Sequence, residues 1–292
     1  MTRTPIIKTY KLFIGGAFPR TESGRSMLVN TPTGEPLAHL CRASRKDLRQ
    51  AVEAAHKAQP GWAGASAYNR GQILYRMAEM LESRHAEFVE TLCATTRGRN
   101  VRAAAQREVD GTIDRLVAFA GWSDKFTSLM GTQNPVPGPY YVFSTPEPVG
   151  VLGVAAPKTP GLLGLISLIA PAICAGNAVI ALASTAHPLP AVVFGEVCAT
   201  SDLPGGVVNL LTGHRDELLP HFAAHRGIDG IIAAGLSAEE RSLLEAGAAE
   251  NLKRVRCLSL GAKAWSRPEV CESIDMLEPM VEIKTIWHPS AV

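Results

Sequence analysis

At 292 residues, with 46% hydrophobic, 19% charged and 6% aromatic residues, the chain can bury one large α/β core or two smaller ones, and it lies far from disordered compositions. A formal net charge of +2 excludes the large basic surplus of a nucleic-acid binder, and Arg97, Arg99, Arg102 and Arg107, alternating with apolar and small residues, read as a solvated helix face. The six cysteines (Cys41, Cys93, Cys174, Cys198, Cys257 and Cys271) form no C-x-x-C pair, and MTRTPIIKTYKLFIGG lacks the apolar core of a signal peptide, so a reducing cytoplasm is expected.

In chain order, KLFIGGAF and then SMLVNTPTGEPLAHL read as short strands bounded by Gly and Pro. At Ser44 the period changes. Ser44 caps a predicted helix with Asp47 in its first turn, and Leu48, Val52, Ala55 and Ala58 line one face until Pro60. A second helix is predicted over 68–91, with Ile73, Leu74, Met77, Leu81 and Phe88 inward. A third over 103–125 carries Val109, Ile113, Leu116, Phe119 and Trp122, and the three pack as a helical layer. The Pro/Gly-rich GTQNPVPGPYYVFSTPEPVG then encloses a short strand at 140–143.

After it, strands and helices alternate. Strands are predicted at 150–156, 178–183, 207–211, 230–233 and 255–260, with helices near 162–175, 189–200, 216–225 and 238–251 between them. The uncharged stretch over 161–185 is long enough to span a bilayer. Pro171 interrupts it and Gly176-Asn177 signals a turn, so a buried helix, a turn and a buried strand are expected and no membrane partner. The alternation predicts an α/β fold with a doubly wound, Rossmann-type parallel sheet, the architecture that commonly binds nucleotides.

Chemistry is harder to find. No G-x-G-x-x-G, Walker loop or nucleophile elbow follows a predicted strand. His214, His221 and His225 cluster in GHRDELLPHFAAHRG without an accompanying Cys or carboxylate pattern, so no metal site is expected there. Asp110 and Asp114 share a helix face as solvated carboxylates.

Several strings resemble the aldehyde dehydrogenase superfamily. KLFIGGAF is similar to its opening motif, EPVGVLGVAAP with IAPAICAGNAVI to its first Rossmann strand, helix and second strand, and LPGGVVNLLTG to one of its most specific strings. AAENLKRVRCLSLGAK stands where the family strand ends in Glu-Leu-Gly-Gly-Lys. The resemblance implies four segments: strands and a helical layer at 1–131, an oligomerisation hairpin segment at 132–148, a Rossmann-like cofactor-type domain at 149–264, and a tail at 265–292 carrying an oligomerisation strand.

At the positions that matter for chemistry the chain departs from the family. Lys158-Thr159 replaces Trp-Asn, so Thr159 stands where the oxyanion-binding Asn is expected. Leu182 and Thr185 replace the Lys and Glu that bind the adenosine ribose, and Gly235-Leu236 replaces the Gly-Ser that opens the cofactor-binding helix. Ser259 replaces the general-base Glu, and Gly261-Ala262 the double Gly. The family's nucleophilic Cys lies well beyond that Glu. Cys271 comes too early and Cys257 falls inside a predicted buried strand, so neither is expected to act as one, and the catalytic domain is expected to be missing from these residues.

This pattern is similar to the degenerate second unit of aldehyde dehydrogenase family 16, including NLKR and the terminal IKTIW. It implies a pseudoenzyme with no cofactor, a structural or regulatory subunit that forms a homodimer or a hetero-oligomer with an active paralogue. VEIKTIWHP would supply the second strand of the oligomerisation element. The alternative is an NAD- or NADP-dependent oxidoreductase acting on an aldehyde, its site completed by a partner chain.

Overall fold

The computed structural model describes residues 6–290; residues 1–5 of the N-terminal stretch and 291–292 of the tail lie outside it. Strand β1 (Lys8–Tyr10) runs parallel to β3 (Pro36–Cys41), whose other edge pairs with antiparallel β2 (Ser26–Asn30). KLFIGGAF does not form the expected strand. Gly15 and Gly16, at φ +64° and +81°, turn the chain back on itself, leaving isolated bridges from Phe13 to Leu210 and from Ile14 to Ala17.

Ser44 opens α1 (Arg45–Ala63) with a capping box. Its hydroxyl accepts from the Lys46 and Asp47 amides, and the Asp47 carboxylate accepts from the Ser44 N–H. The helix runs past Pro60, its last turn held by buried Trp62, whose indole N–H donates to the Ile173 carbonyl at 2.9 Å. The helix predicted over 68–91 divides into α2 (Ala67–Ser83) and α3 (His85–Cys93), because Arg84 leaves helical geometry at φ −110° and ψ 14°. Next come α4 (Val101–Trp122) and the short α5 (Phe126–Met130). The basic run is not one helix face: Arg97 and Arg99 precede α4, and only Arg102 and Arg107 ride on it.

Strands β4 (Thr132–Asn134) and β5 (Tyr140–Pro148) lead into the alternating region. There β6 (Val151–Ala155), α6 (Leu162–Cys174), β7 (Ala178–Leu182), α7 (Leu189–Ala199) and β8 (Val208–Leu211) follow one another. They continue as α8 (Arg215–Ala224), β9 (Gly230–Ala234), α9 (Ala238–Ala249) and β10 (Arg254–Leu258). The sheet is parallel throughout, in the order β10-β9-β6-β7-β8.

Successive residues on each strand face opposite layers. Leu152, Val154, Val179 and Ile232 pack with Leu116, Phe119, Ile166 and Phe194 of α4, α6 and α7. Val151, Ala155, Ile180, Leu182 and Ile231 pack with Leu48, Val52, Phe222 and Leu244 of α1, α8 and α9. Both faces are covered, which is why the strands read as continuous apolar runs. The exception is β10. It lies at the sheet's edge and ends at Leu258, so Cys257, expected in a buried strand, is half-buried.

A turn region with α10 (Pro268–Cys271) leads to β11 (Val281–Pro289), which pairs antiparallel with β5 from Val281 opposite Pro148 to Pro289 opposite Tyr140. With β4 on the other side, the order is β11-β5-β4. A polar ladder crosses it: Asn134 Nδ2 donates to the Ser144 hydroxyl at 2.8 Å, which lies 2.9 Å from the Thr285 hydroxyl. Buried Asn177 fastens this sheet to the parallel one, accepting from the Gly150 N–H at 2.9 Å and donating to the Met280 carbonyl at 2.8 Å.

Candidate functional site

The strand order reverses at β6. The chain passes from β6 to β7 and β8 on one side, then returns to lay β9 and β10 on the other. Ligands of open α/β sheets gather in the crevice outside the carboxyl ends of the strands at such a reversal. Here the crevice is flanked by the loops after β6 and β9. Pro157 is buried, Lys158 and Thr159 are exposed, and Gly235 takes a left-handed φ of +62°. A Cβ on Gly235 would stand 3.5 Å from Pro157 Cα, so the two loops are in contact distance of each other. Ser184, after β7, donates to the Lys158 carbonyl at 2.7 Å and accepts from the Ala186 and His187 amides at 3.2 and 3.1 Å. The β6 and β7 loops are thereby held together.

Arg215, the first residue of α8, reaches across this edge. Its guanidinium donates to the carbonyls of Ala156, of Ala234 at 3.0 Å and of Gly235 at 3.1 Å, and its side chain is only 4% exposed. Burial holds Arg215 below its ordinary pKa, with Glu240 at 3.6 Å pulling it back up. Glu240 also closes the N-terminus of α9: its carboxylate accepts from the Ser237 N–H at 2.8 Å, and the Ser237 hydroxyl accepts from the Glu240 N–H at 3.1 Å. The N-terminus of α6 is closed in the same way from outside. The Glu108 carboxylate, on α4, accepts from the Leu162 and Leu163 amides at 2.8 and 3.3 Å. Burial pushes Glu108 above the usual carboxylate range, against the lowering effect of those bonds. At α6 the Leu162 and Leu163 amides, and at α9 the Ser237 amide, which could otherwise meet an anion, are taken by the chain's own carboxylates.

Thr159 opens onto a cleft of about 540 Å³ between α4 and the segment after β10, shared with Arg107, Glu108, Asp114, Arg115 and Glu272. Arg115 is buried; it donates to the Trp265 carbonyl at 2.9 Å and its Nε lies 3.4 Å from Glu272. Burial raises the Glu272 pKa, with Arg115 opposing. Ser259 does not line this cleft: it is exposed just beyond β10. The positions implied for oxyanion donor and base are therefore not gathered around it. Cys271 is fully buried, its thiol donating to the Ala264 carbonyl at 3.5 Å, and burial pushes its pKa up against the opposing Arg115. The Cys257 thiol is raised by burial as well. Both are held toward the protonated form, the weaker nucleophile.

The implied cofactor positions are scattered too. Leu182 is fully buried in the core formed with α1, α8 and α9, Thr185 is exposed, and Leu236 is half-buried against that same core. His221 lies on α8 and His225 ends it, its Nδ1 accepting from the Gly227 N–H at 3.1 Å. Among the described residues no group of three or more His, Cys, Asp or Glu side chains could hold a metal ion. Asp110 pairs with His85 at 2.8 Å. No described helix is long and apolar enough to cross a membrane. Sequence reasoning missed Arg215 and Glu108. The signal for Arg215 was a cation directly after a buried strand and the Gly213 turn; Glu108 looked like any helix-surface carboxylate.

The model of the aldehyde dehydrogenase family matches residues 19–280. Retinal dehydrogenase 2 from Gallus gallus is 35% identical over 262 residues, covering 88% of this chain and 50% of that protein. Mitochondrial benzaldehyde dehydrogenase from Antirrhinum majus is 31% identical over 278 residues, covering 94% of this chain and 51% of that one. A mutant of aldehyde dehydrogenase C from Pseudomonas syringae, solved with NAD+ and octanal, superposes with a TM-score of 0.77 at 29% identity, over 85% of this chain and 50% of that one. The chain spans about half the length of the relatives it matches.

Proposed function

Because the chain belongs to the aldehyde dehydrogenase family, we propose that it serves as a non-catalytic scaffold subunit, like the degenerate second unit of family 16, and takes no NAD(P). Its partner is a second copy of itself, or an active aldehyde dehydrogenase paralogue in a hetero-oligomer. The observation that carries this proposal is β11. Nine residues close the β11-β5-β4 sheet as its outer strand, with Ile283 53% and Trp287 58% exposed. A long edge strand with exposed apolar side chains is a template for another strand. Antiparallel addition of a second β11 about Ile283 would set Glu282 opposite Lys284 in both directions, the self-complementarity a twofold interface requires.

The non-catalytic half rests on the site residues. Thr159 offers a short hydroxyl where an amide is expected, Ser259 cannot serve as a carboxylate base, and Leu182 is committed to the core. When bound in this fold NAD(P) would supply a hydride acceptor; the residues around the crevice do not fit it. Six free cysteines suit the reducing cytoplasm proposed as its location. The test is a titration of the chain with NAD+ and NADP+ by calorimetry, alongside an aldehyde oxidation assay. No heat at millimolar cofactor and no NAD(P)H formation are expected. Micromolar binding would favour the partner-completed oxidoreductase instead.

A further inference from the structure

We infer that Arg215 is a built-in plug of the dinucleotide crevice, and that removing it raises the affinity of the chain for an ADP-containing dinucleotide. This rests on the proposal that the chain takes no cofactor, and it names the group responsible.

The crevice at the β6/β9 reversal is where a parallel sheet of this order receives a nucleotide, because two neighbouring loops there diverge to opposite faces. A ligand needs two things at that place: room between the carboxyl ends of the strands, and free N–H groups at a helix start for its phosphates. Arg215 takes the first. Its planar fork bridges the ends of β6 and β9 through the carbonyls of Ala156, Ala234 and Gly235, and the side chain is almost wholly buried. Three acceptors from two strands fix a guanidinium far more firmly than a flexible surface cation is held. Glu240 takes the second. It stands 3.6 Å from Arg215 and bonds the Ser237 N–H at 2.8 Å, so one carboxylate both neutralises the plug and occupies the start of α9. Glu239, in the same first turn, adds a further negative charge where a pyrophosphate would approach.

The backbone course around the crevice is retained, while Leu182, Thr185 and Leu236 depart from the side chains a cofactor would meet. The reversal of strand order, the left-handed Gly235 after β9, and the twelve-residue α9 behind it are all in place. A residue without a side chain at 215 would clear the strand ends, while Glu240 would keep its capping bond to the Ser237 N–H at 2.8 Å.

The test compares the wild-type chain with Arg215→Gly and Arg215→Met, each checked for folding by circular dichroism and thermal melting, then titrated with NAD+ and with ADP-ribose. The wild type is expected to give no heat at millimolar ligand. R215G is expected to bind both ligands at least tenfold tighter, with R215M, which keeps the bulk but loses every donor, between them. If R215G does not fold, Arg215→Ala, which also removes the bulk, decides: measurable binding by the folded variant supports the plug, and none overturns it. Folded R215G without binding overturns the plug while the absence of a cofactor in the wild type stands. Wild-type binding as tight as that of R215G would overturn both.

Discussion

The ring of Trp287 on β11 meets the ring of Tyr140 on β5 edge-on, with centroids 5.8 Å apart and planes inclined at 70°. The two residues are far apart in sequence, and the register Pro289 opposite Tyr140 brings them together diagonally. Such a pair contributes about 0.5–1.5 kcal/mol beyond its burial. Trp287→Ala is expected to lower the melting temperature slightly, leave the circular dichroism spectrum unchanged, and weaken self-association measured by sedimentation. An unchanged association constant would speak against β11 as the contact.

Restoring the family's lysine at Leu182 is expected to fail as a repair. Leu182 has no exposed surface and packs in the core formed with α1, α8 and α9, so an ammonium there would be buried without a partner. The expected loss for Leu182→Lys is roughly 3 kcal/mol or more in urea unfolding. NAD+ binding is not expected to return, because Arg215 still bridges the strand ends.

Glu108 gives a pH dependence of defined sign. Its folded pKa is raised by burial, so between the unfolded and folded values the native state holds the proton more tightly. Its contribution to stability is therefore fully present below the ordinary carboxylate range and is lost as pH rises through the raised value. Glu108→Gln keeps an oxygen to accept from the Leu162 amide and removes the charge. The stability of E108Q relative to wild type, followed by melts from pH 4 upward, is expected to rise with pH. A difference that stays flat would contradict the assignment.

Lys253 behaves in the opposite sense to a surface lysine. Burial lowers it to about 8, although it donates to the carbonyls of Phe222 at 2.9 Å and His225 at 2.8 Å at the end of α8. Above that value the unfolded chain binds more protons than the folded one, so the Lys253 contribution rises with pH from about 8 toward the ordinary lysine value of 10.5. Lys253→Met is expected to lose about 1–3 kcal/mol at neutral pH through the abandoned carbonyls. It should also lack that alkaline gain in stability relative to wild type.

The doubly wound sheet was legible because both of its faces are covered: Ala178–Leu182 reads as a continuous apolar run since Val179 and Ile180 serve different cores. The Ser44–Asp47 cap was legible for a local reason, as the partners lie three residues apart. What stayed hidden was long-range. At the break, the Arg84 guanidinium reaches Glu196 on α7 as well as Glu87 nearby, a long-range contact that periodicity does not encode. The edge position of β10, and with it the half-exposure of Cys257, depends on strand order, which periodicity does not encode. The substituted positions Thr159, Leu182 and Ser259 could be read from a resemblance. Arg215 could not, because its meaning lies in three carbonyls at the ends of two strands distant in sequence.

The claim that this chain works by assembling, through β11 and with a second copy of itself, is tested most directly by native mass spectrometry of the wild type beside Ile283→Asp. The substitution places two carboxylates against each other at the proposed twofold axis, on a side chain that is 53% exposed and so dispensable to the fold. A wild-type mass of two or more chains that collapses to one chain in I283D is the predicted result. A wild type already present as a single chain, or an I283D variant that keeps the wild-type mass, would contradict it.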